Sequence, residues 1–218
     1  MVITYHGGQF FKVAFGDVTL AVNPISKASK LPQTRFGSDI VLISMLTEDF
    51  DGIENVTHGD KQPFVAHGPG EYEVKKVVIR GIGVPSNFAG ESRLNTIYLV
   101  EMEGMHLAFL GALSSRKLSS EAKELLEDID ILFLPIGGSG VLSAADAHEL
   151  AVELEPRLVI PCHYLPLPAQ AGAQAGDASS LKKFLKEEGE ESLKPVEKLT
   201  LKKKDLDGKE GEVVVLSS

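Results

Sequence analysis

Hydrophobic positions alternate with polar ones over short spans in the first half of the chain and recur at helical spacing only later. Val2–Tyr5, Phe10–Phe15 and Val18–Val22 are three β-prone runs separated by Gly7-Gly8 and Gly16-Asp17, the pattern of a meander joined by tight turns. Ile40–Ser44 is apolar without interruption, as expected of a strand covered on both faces. Pro63–Ala66, Tyr72–Val74 and Val77–Ile82 follow, and Thr96–Met102 and His106–Leu110 flank a Glu103-Gly104 hairpin signal. Ser119–Glu127 reads as a helix after a serine pair suited to capping. Ser143-Ala-Ala-Asp146 has capping-box spacing and opens a second helix with Ala144, Ala147, Leu150, Ala151 and Leu154 on one face. Ile131–Pro135 and Leu158–Pro161 are buried strands. Leu181, Phe184 and Leu185 mark a last helix. Leu199/Leu201 and Val213–Leu216 predict a terminal hairpin across Asp207-Gly208.

No linker separates two cores and no repeat is evident, so residues 1–218 are expected to form one domain, with a mobile loop near 168–178 where the sequence turns low in complexity. Strand-rich halves with helices outside predict two sheets packed face to face between helical layers.

A net charge of -9 works against nucleic-acid binding, which needs a basic surface to displace counterions, and against docking on an anionic membrane. One cysteine excludes an internal disulfide, and no signal peptide or membrane-spanning run is present, so a cytoplasmic location is expected. Cys162 reads as a small core residue. Gly137-Gly-Ser-Gly140 lacks phosphate-loop spacing and predicts a tight turn near the cleft rim, with N–H groups able to receive an anion.

The six histidines (His6, His58, His67, His106, His148, His163) are scattered, with no close pair of the kind that usually anchors a zinc site. His163, at the end of Arg157-Leu-Val-Ile-Pro-Cys-His-Tyr164, is the most informative of them. His148 is expected on a solvent-facing helix surface.

Several short segments, in order, resemble the metallo-β-lactamase superfamily and within it the L-ascorbate-6-phosphate lactonase-like, Zn-dependent hydrolases. They are Ile3-Thr-Tyr-His-Gly7, Val22-Asn-Pro24, Ile40-Val-Leu-Ile-Ser44, Gly68-Pro-Gly-Glu-Tyr-Glu-Val74, Asn95-Thr-Ile-Tyr98, Leu110-Gly111, Leu134-Pro-Ile-Gly-Gly138 and Val159-Ile-Pro-Cys-His-Tyr164. The resemblance implies an α/β fold, a four-layer αββα sandwich with two metals at one edge. It also implies a His-x-His-x-Asp-His signature just after Ser44. This chain has Met45-Leu-Thr-Glu-Asp-Phe50, which places Met45, Thr47 and Phe50 at histidine positions and keeps only Asp49. No histidine stands near Pro85-Ser-Asn87, Ala112 stands at the bridging aspartate position, and Gly8 replaces another histidine. The final histidine is His163.

Asp49 and His163 are therefore the candidate catalytic residues, and three readings stand. They are a metal-free acid/base pair. They hold one zinc or manganese ion, completed by Glu48, Asp51 or His67. Or they are structural remnants in a protein that needs no cofactor and binds a small molecule or a protein. The last is favoured, because two protein ligands fall short of the three that catalytic zinc sites use and Phe50 adds apolar volume where a hydrated ion would sit. It predicts a cleft filled by Met45, Phe50 and apolar neighbours. The oligomeric state is not legible.

Overall fold

A computed structural model describes residues 1–60, 62–138, 140–164 and 179–218. The loop expected near 168–178 lies outside the described residues.

Thirteen strands are described in two sheets. The first contains β1 (Val2–Tyr5), β2 (Phe11–Phe15), β3 (Val18–Val22), β4 (Ile40–Leu42), β5 (Phe64–Ala66) and β12 (Leu199–Thr200), in the order β12-β1-β2-β3-β4-β5. The second contains β6 (Gly70–Val74), β7 (Val77–Ser86), β8 (Arg93–Met102), β9 (Met105–Phe109), β10 (Ile131–Pro135), β11 (Leu158–Cys162) and β13 (Glu212–Val213), in the order β13-β11-β10-β9-β8-β7-β6. The helices are α1 (Ile53–Val56), α2 (Ser120–Leu125), α3 (Ala144–Leu154) and α4 (Ser180–Glu187). The predicted sandwich class stands, and the opening meander β1-β2-β3 is antiparallel as its turn glycines require.

Alternation along the first sheet sorts its residues between two cores. Ile3, Tyr5, Phe11, Val13, Leu20, Val22, Ile40 and Leu42 face the second sheet in the main core. Ala21, Val41 and Ile43 point the other way and meet Phe10, Ile25, Leu31 and Val56 in a separate cluster. Ile40–Leu42 is thus covered on both faces, as its unbroken apolar run predicted. The outer cover on this side is thin, consisting of one short helix and the loop carrying Ile25 and Leu31. On the second sheet α3 packs against β10 and α4.

The expected terminal hairpin does not form. Leu199–Thr200 pairs antiparallel with β1 in the first sheet, whereas Glu212–Val213 pairs parallel with β11 in the second. The chain between them crosses from one sheet to the other, so each segment covers an edge that would otherwise be exposed. Asp207-Gly208 does turn the chain, at the end of a short 3-10 helix (Lys203–Leu206), but the strands it separates part company.

At Ser143 the capping spacing is met in altered form. Its hydroxyl oxygen accepts from the Asp146 N–H at 3.1 Å and its O–H donates to the Asp146 carboxylate at 2.7 Å. His148 is half-buried between helices, with Nδ1 2.9 Å from a Glu188 carboxylate oxygen, and does not face open solvent.

Two parallel sets, β3-β4-β5 and β9-β10-β11, send their C-terminal ends to one edge of the sandwich. Hydrogen bonds tie the sheets together there. The Thr96 N–H donates to the Ser44 carbonyl at 2.8 Å and the His163 N–H donates to the Gly8 carbonyl at 2.7 Å. The Tyr98 hydroxyl donates to the Ile43 carbonyl at 3.0 Å and accepts from the Gly68 N–H at 2.9 Å. Buried Asn95 holds the turn after β9, with Nδ2 donating to the Leu110 carbonyl at 2.9 Å and Oδ1 accepting from the Ala112 N–H at 2.7 Å.

Gly111 sits inside that turn at φ 56°, and a Cβ there would lie 2.4 Å from Asn95 Oδ1 and 2.6 Å from Ser44 Cβ. Gly111→Ala is expected to cost about 2–4 kcal/mol in urea unfolding, from left-handed strain together with overpacking. Gly104→Ala, at φ 67° with open space around it, is expected to cost only about 1–2 kcal/mol.

Candidate functional site

The edge where the strand ends converge is floored by an apolar cluster. Met45, Phe50, Phe88, Ala112 and Val141 pack together, each buried. Met45 follows β4, Phe50 lies in the turn that leads to α1, Phe88 lies in the loop after β7, Ala112 follows β9 and Val141 follows β10. The Phe50 and Phe88 rings meet edge to face at 5.3 Å.

His163 completes this cluster. Its ring stacks on Phe50 at 6.4 Å with a 9° interplanar angle and meets Phe88 edge-on at 5.6 Å. The residue is 1% exposed, and its Nδ1 is 3.4 Å from Gln9 Nε2. It stands just past the end of β11 at φ 57°, a left-handed conformation costly for a residue with a Cβ. Its N–H bond to Gly8 helps to hold that conformation. Cys162 is buried in the main core, and burial pushes its thiol well above the ordinary range, which leaves it inert as a nucleophile.

Asp49 is partly buried, and its carboxylate accepts a hydrogen bond from the Ser29 hydroxyl. Burial raises its pKa; the Ser29 bond acts in the opposite direction, and nearby Glu48 adds to the rise. Glu48 itself is exposed. Asp51 is also raised, first by burial and then by Glu54, with His67 acting in the opposite direction. His67 is exposed. Among the described residues, no group of three or more His, Cys, Asp or Glu side chains is placed to hold a metal ion. The described side chains therefore do not assemble the donor set that the resemblance implies.

Two glycine-rich turns near the edge spend their N–H groups internally. Gly138 donates to the Leu142 carbonyl and Val141 to the Gly138 carbonyl, while Gly68 donates to Tyr98. The Val141 N–H bond to the Gly138 carbonyl closes a tight turn here, as expected of Gly137–Gly140; Ser139 itself lies outside the described residues.

Reasoning from sequence missed Phe88, Gln9, Ser29 and Ser44. A signal for Phe88 was available: it directly follows the Pro85-Ser-Asn87 stretch in which a histidine was sought and not found. Gln9 and Ser29 carried none, because their roles come from contacts across 154 and 20 residues of chain.

Residues 2–163 match the beta-lactamase superfamily domain. The chain belongs to the beta-lactamase superfamily. A Natranaerobius thermophilus relative described as a UPF0173 metal-dependent hydrolase is 30% identical over 138 residues, which span 60% of this chain and 57% of that protein. A Listeria monocytogenes relative described in the same words is 24% identical, over 78% of this chain and 89% of its own length. Among solved structures, a Thermotoga maritima protein of the metallo-β-lactamase superfamily superposes with a TM-score of 0.73 at 24% identity, covering 99% of this chain and 97% of that one. The metallo hydrolase Igni18 from Ignicoccus hospitalis gives a TM-score of 0.59 at 19% identity, covering 92% and 99%. These likenesses establish the metallo-β-lactamase fold. No helix among the described residues is long and apolar enough to cross a membrane.

Phe50→Ala is expected to destabilise the protein by about 3–5 kcal/mol, because it opens a void between Phe88 and His163, and Phe50→Leu by clearly less; chemical denaturation measures both. A second expectation concerns His6, which packs between Phe10 and Phe36. Burial and then the Lys12 charge lower its pKa from 6.5 to about 4. Between those values the unfolded chain binds more protons than the folded one, so stability is lost as pH falls from about 6.5 towards 4. Relative to wild type, His6→Gln should flatten the dependence of melting temperature on pH in that window.

Proposed function

We propose that this chain is a metallo-β-lactamase-fold protein in which an apolar plug replaces the dinuclear metal centre, and that it works as a non-catalytic binding or interaction module for a small molecule or a protein. The proposal treats residues 1–218 as one domain. The observation that carries it is the packing of Met45, Phe50, Phe88, Ala112 and Val141 against His163 at the edge where the strand ends meet. An ion placed there would give up hydration for contact with rings and methyl groups, a loss that two remaining ligands could not offset. Asp49 supports the same reading, since its carboxylate is engaged by Ser29. In this account Asp49 shapes the loop before α1, and His163 is a core residue that locks the end of β11 to the Gly8 turn.

A second reading rests on the relatives described as metal-dependent hydrolases. In it Asp49 and His163 hold a single zinc or manganese ion, with Glu48, Asp51 or His67 moving in to complete the site.

Elemental analysis of freshly purified protein, followed by zinc titration, separates the two. The plugged fold predicts zinc, manganese and iron well below one equivalent and no tight zinc uptake. Near-stoichiometric metal that is lost in both Asp49→Ala and His163→Ala would establish the hydrolase reading in its place.

A further inference from the structure

The turn between β1 and β2 carries a histidine that has no part in the candidate site. The His6 ring lies 5.0 Å from the Phe10 ring and 5.6 Å from the Phe36 ring, and those two rings stack on each other at 5.5 Å. Its Nε2 is enclosed and has no hydrogen-bond partner. The Lys12 ammonium stands 4.8 Å from the centre of the Phe36 ring.

Phe36 belongs to the segment 31–38, which closes the small outer cluster built on Phe10, Ile25 and Val56. Two backbone bonds hold this segment on α1. The Phe36 N–H donates to the Asn55 carbonyl at 3.1 Å and the Ser38 N–H to the Val56 carbonyl at 2.9 Å. The start of the segment reaches the candidate edge. A Cβ on Gly8 would stand 3.1 Å from Leu31 Cδ1, and the Gly8 carbonyl is the one that accepts from the His163 N–H. The outer cluster is separate from the main core, so its cover can open without unfolding the sheets.

A neutral imidazole suits this place and an imidazolium does not. Protonation puts an N–H on both ring nitrogens, and at Nε2 that donor has no acceptor to meet. Lys12 on β2 adds repulsion between like charges. Other charges on the packed elements do not offset it. Arg35, beside Phe36, is exposed and of the same sign, and Glu54 on α1 accepts from the Lys27 N–H. Aromatic faces attract a cation, yet burial first and Lys12 second lower the His6 pKa to about 4, so the attraction does not prevail. We infer that His6 is an acid-sensitive latch: when its ring takes a proton, the segment 31–38 parts from the first sheet and uncovers Phe10 and Ile25, while both sheets stay folded. Acid thus acts on the cover that adjoins the candidate edge, and it does so whether or not that edge is plugged.

Native-state amide exchange of the full chain, expressed as protection factors across a pH series, tests the latch. Once released, His6 returns to its ordinary pKa of 6.5, so acid favours the open form from there down to about 4. Protection of the Phe36 and Ser38 amides should fall about thirtyfold from about pH 7.5 to about pH 5, as those two pKa values require. Amides of β8, in the main core, should keep their protection. His6→Phe, which retains an aromatic ring and cannot titrate, should lose most of the fall. Lys12→Gln should reduce it, because the closed form then resists protonation less. An equal fall in His6→Phe, a parallel loss of protection in β8, or constant protection at Phe36 and Ser38 would each overturn the latch. If His6→Phe does not fold, the imidazole titration of the wild-type protein by NMR decides. A His6 midpoint well below 6.5 is expected, and one near 6.5 overturns the inference.

Discussion

Desolvation governs this molecule's candidate site. A divalent cation is stable in a protein only where donor atoms replace its lost water, and here the converging strand ends deliver two phenylalanine rings, a methionine and two small apolar side chains instead. The same packing seats His163, whose ring stacks on Phe50 and abuts Phe88. Remove the plug and His163 loses the two rings it packs against.

The scaffold around the plug retains polar fixtures suited to holding loops in register. Asn95 clamps the Leu110–Ala112 turn, Ser86 donates to the Ala112 carbonyl at 2.5 Å, and Asn23 accepts from the Ser44 N–H at 2.8 Å. Tyr98 joins the β4 and β5 ends to β8, and burial raises its hydroxyl pKa to about 12, so it remains a neutral donor and acceptor. These fixtures act on backbone groups, and none depends on an ion. A superfamily member can therefore keep its architecture at this edge with different side chains pointing into it, which is why fold membership does not by itself carry the chemistry.

Much of this was legible in the sequence, for identifiable reasons. The unbroken run at Ile40–Ser44 and the alternation in Val2–Val22 report burial directly, and both produced the strands expected. Met45 and Phe50, expected to fill the cleft, do form part of an apolar floor with Ala112, because a side chain's chemistry does not depend on the fold's details. What failed was long-range pairing. Leu199–Thr200 and Glu212–Val213 look like hairpin partners locally, but each is recruited by a different sheet edge, a choice set by β1 and β11 far away in the chain. His148 failed likewise, since its partner Glu188 sits on another helix.

The most direct test of the plugged edge is anomalous diffraction from crystals soaked in a zinc salt, recorded at the zinc absorption edge. The account predicts that any peaks lie at surface carboxylates or histidines and that the Phe50–Phe88–His163 packing is unchanged. A strong peak within bonding distance of His163 and Asp49, with Phe50 displaced from the His163 ring, would contradict it.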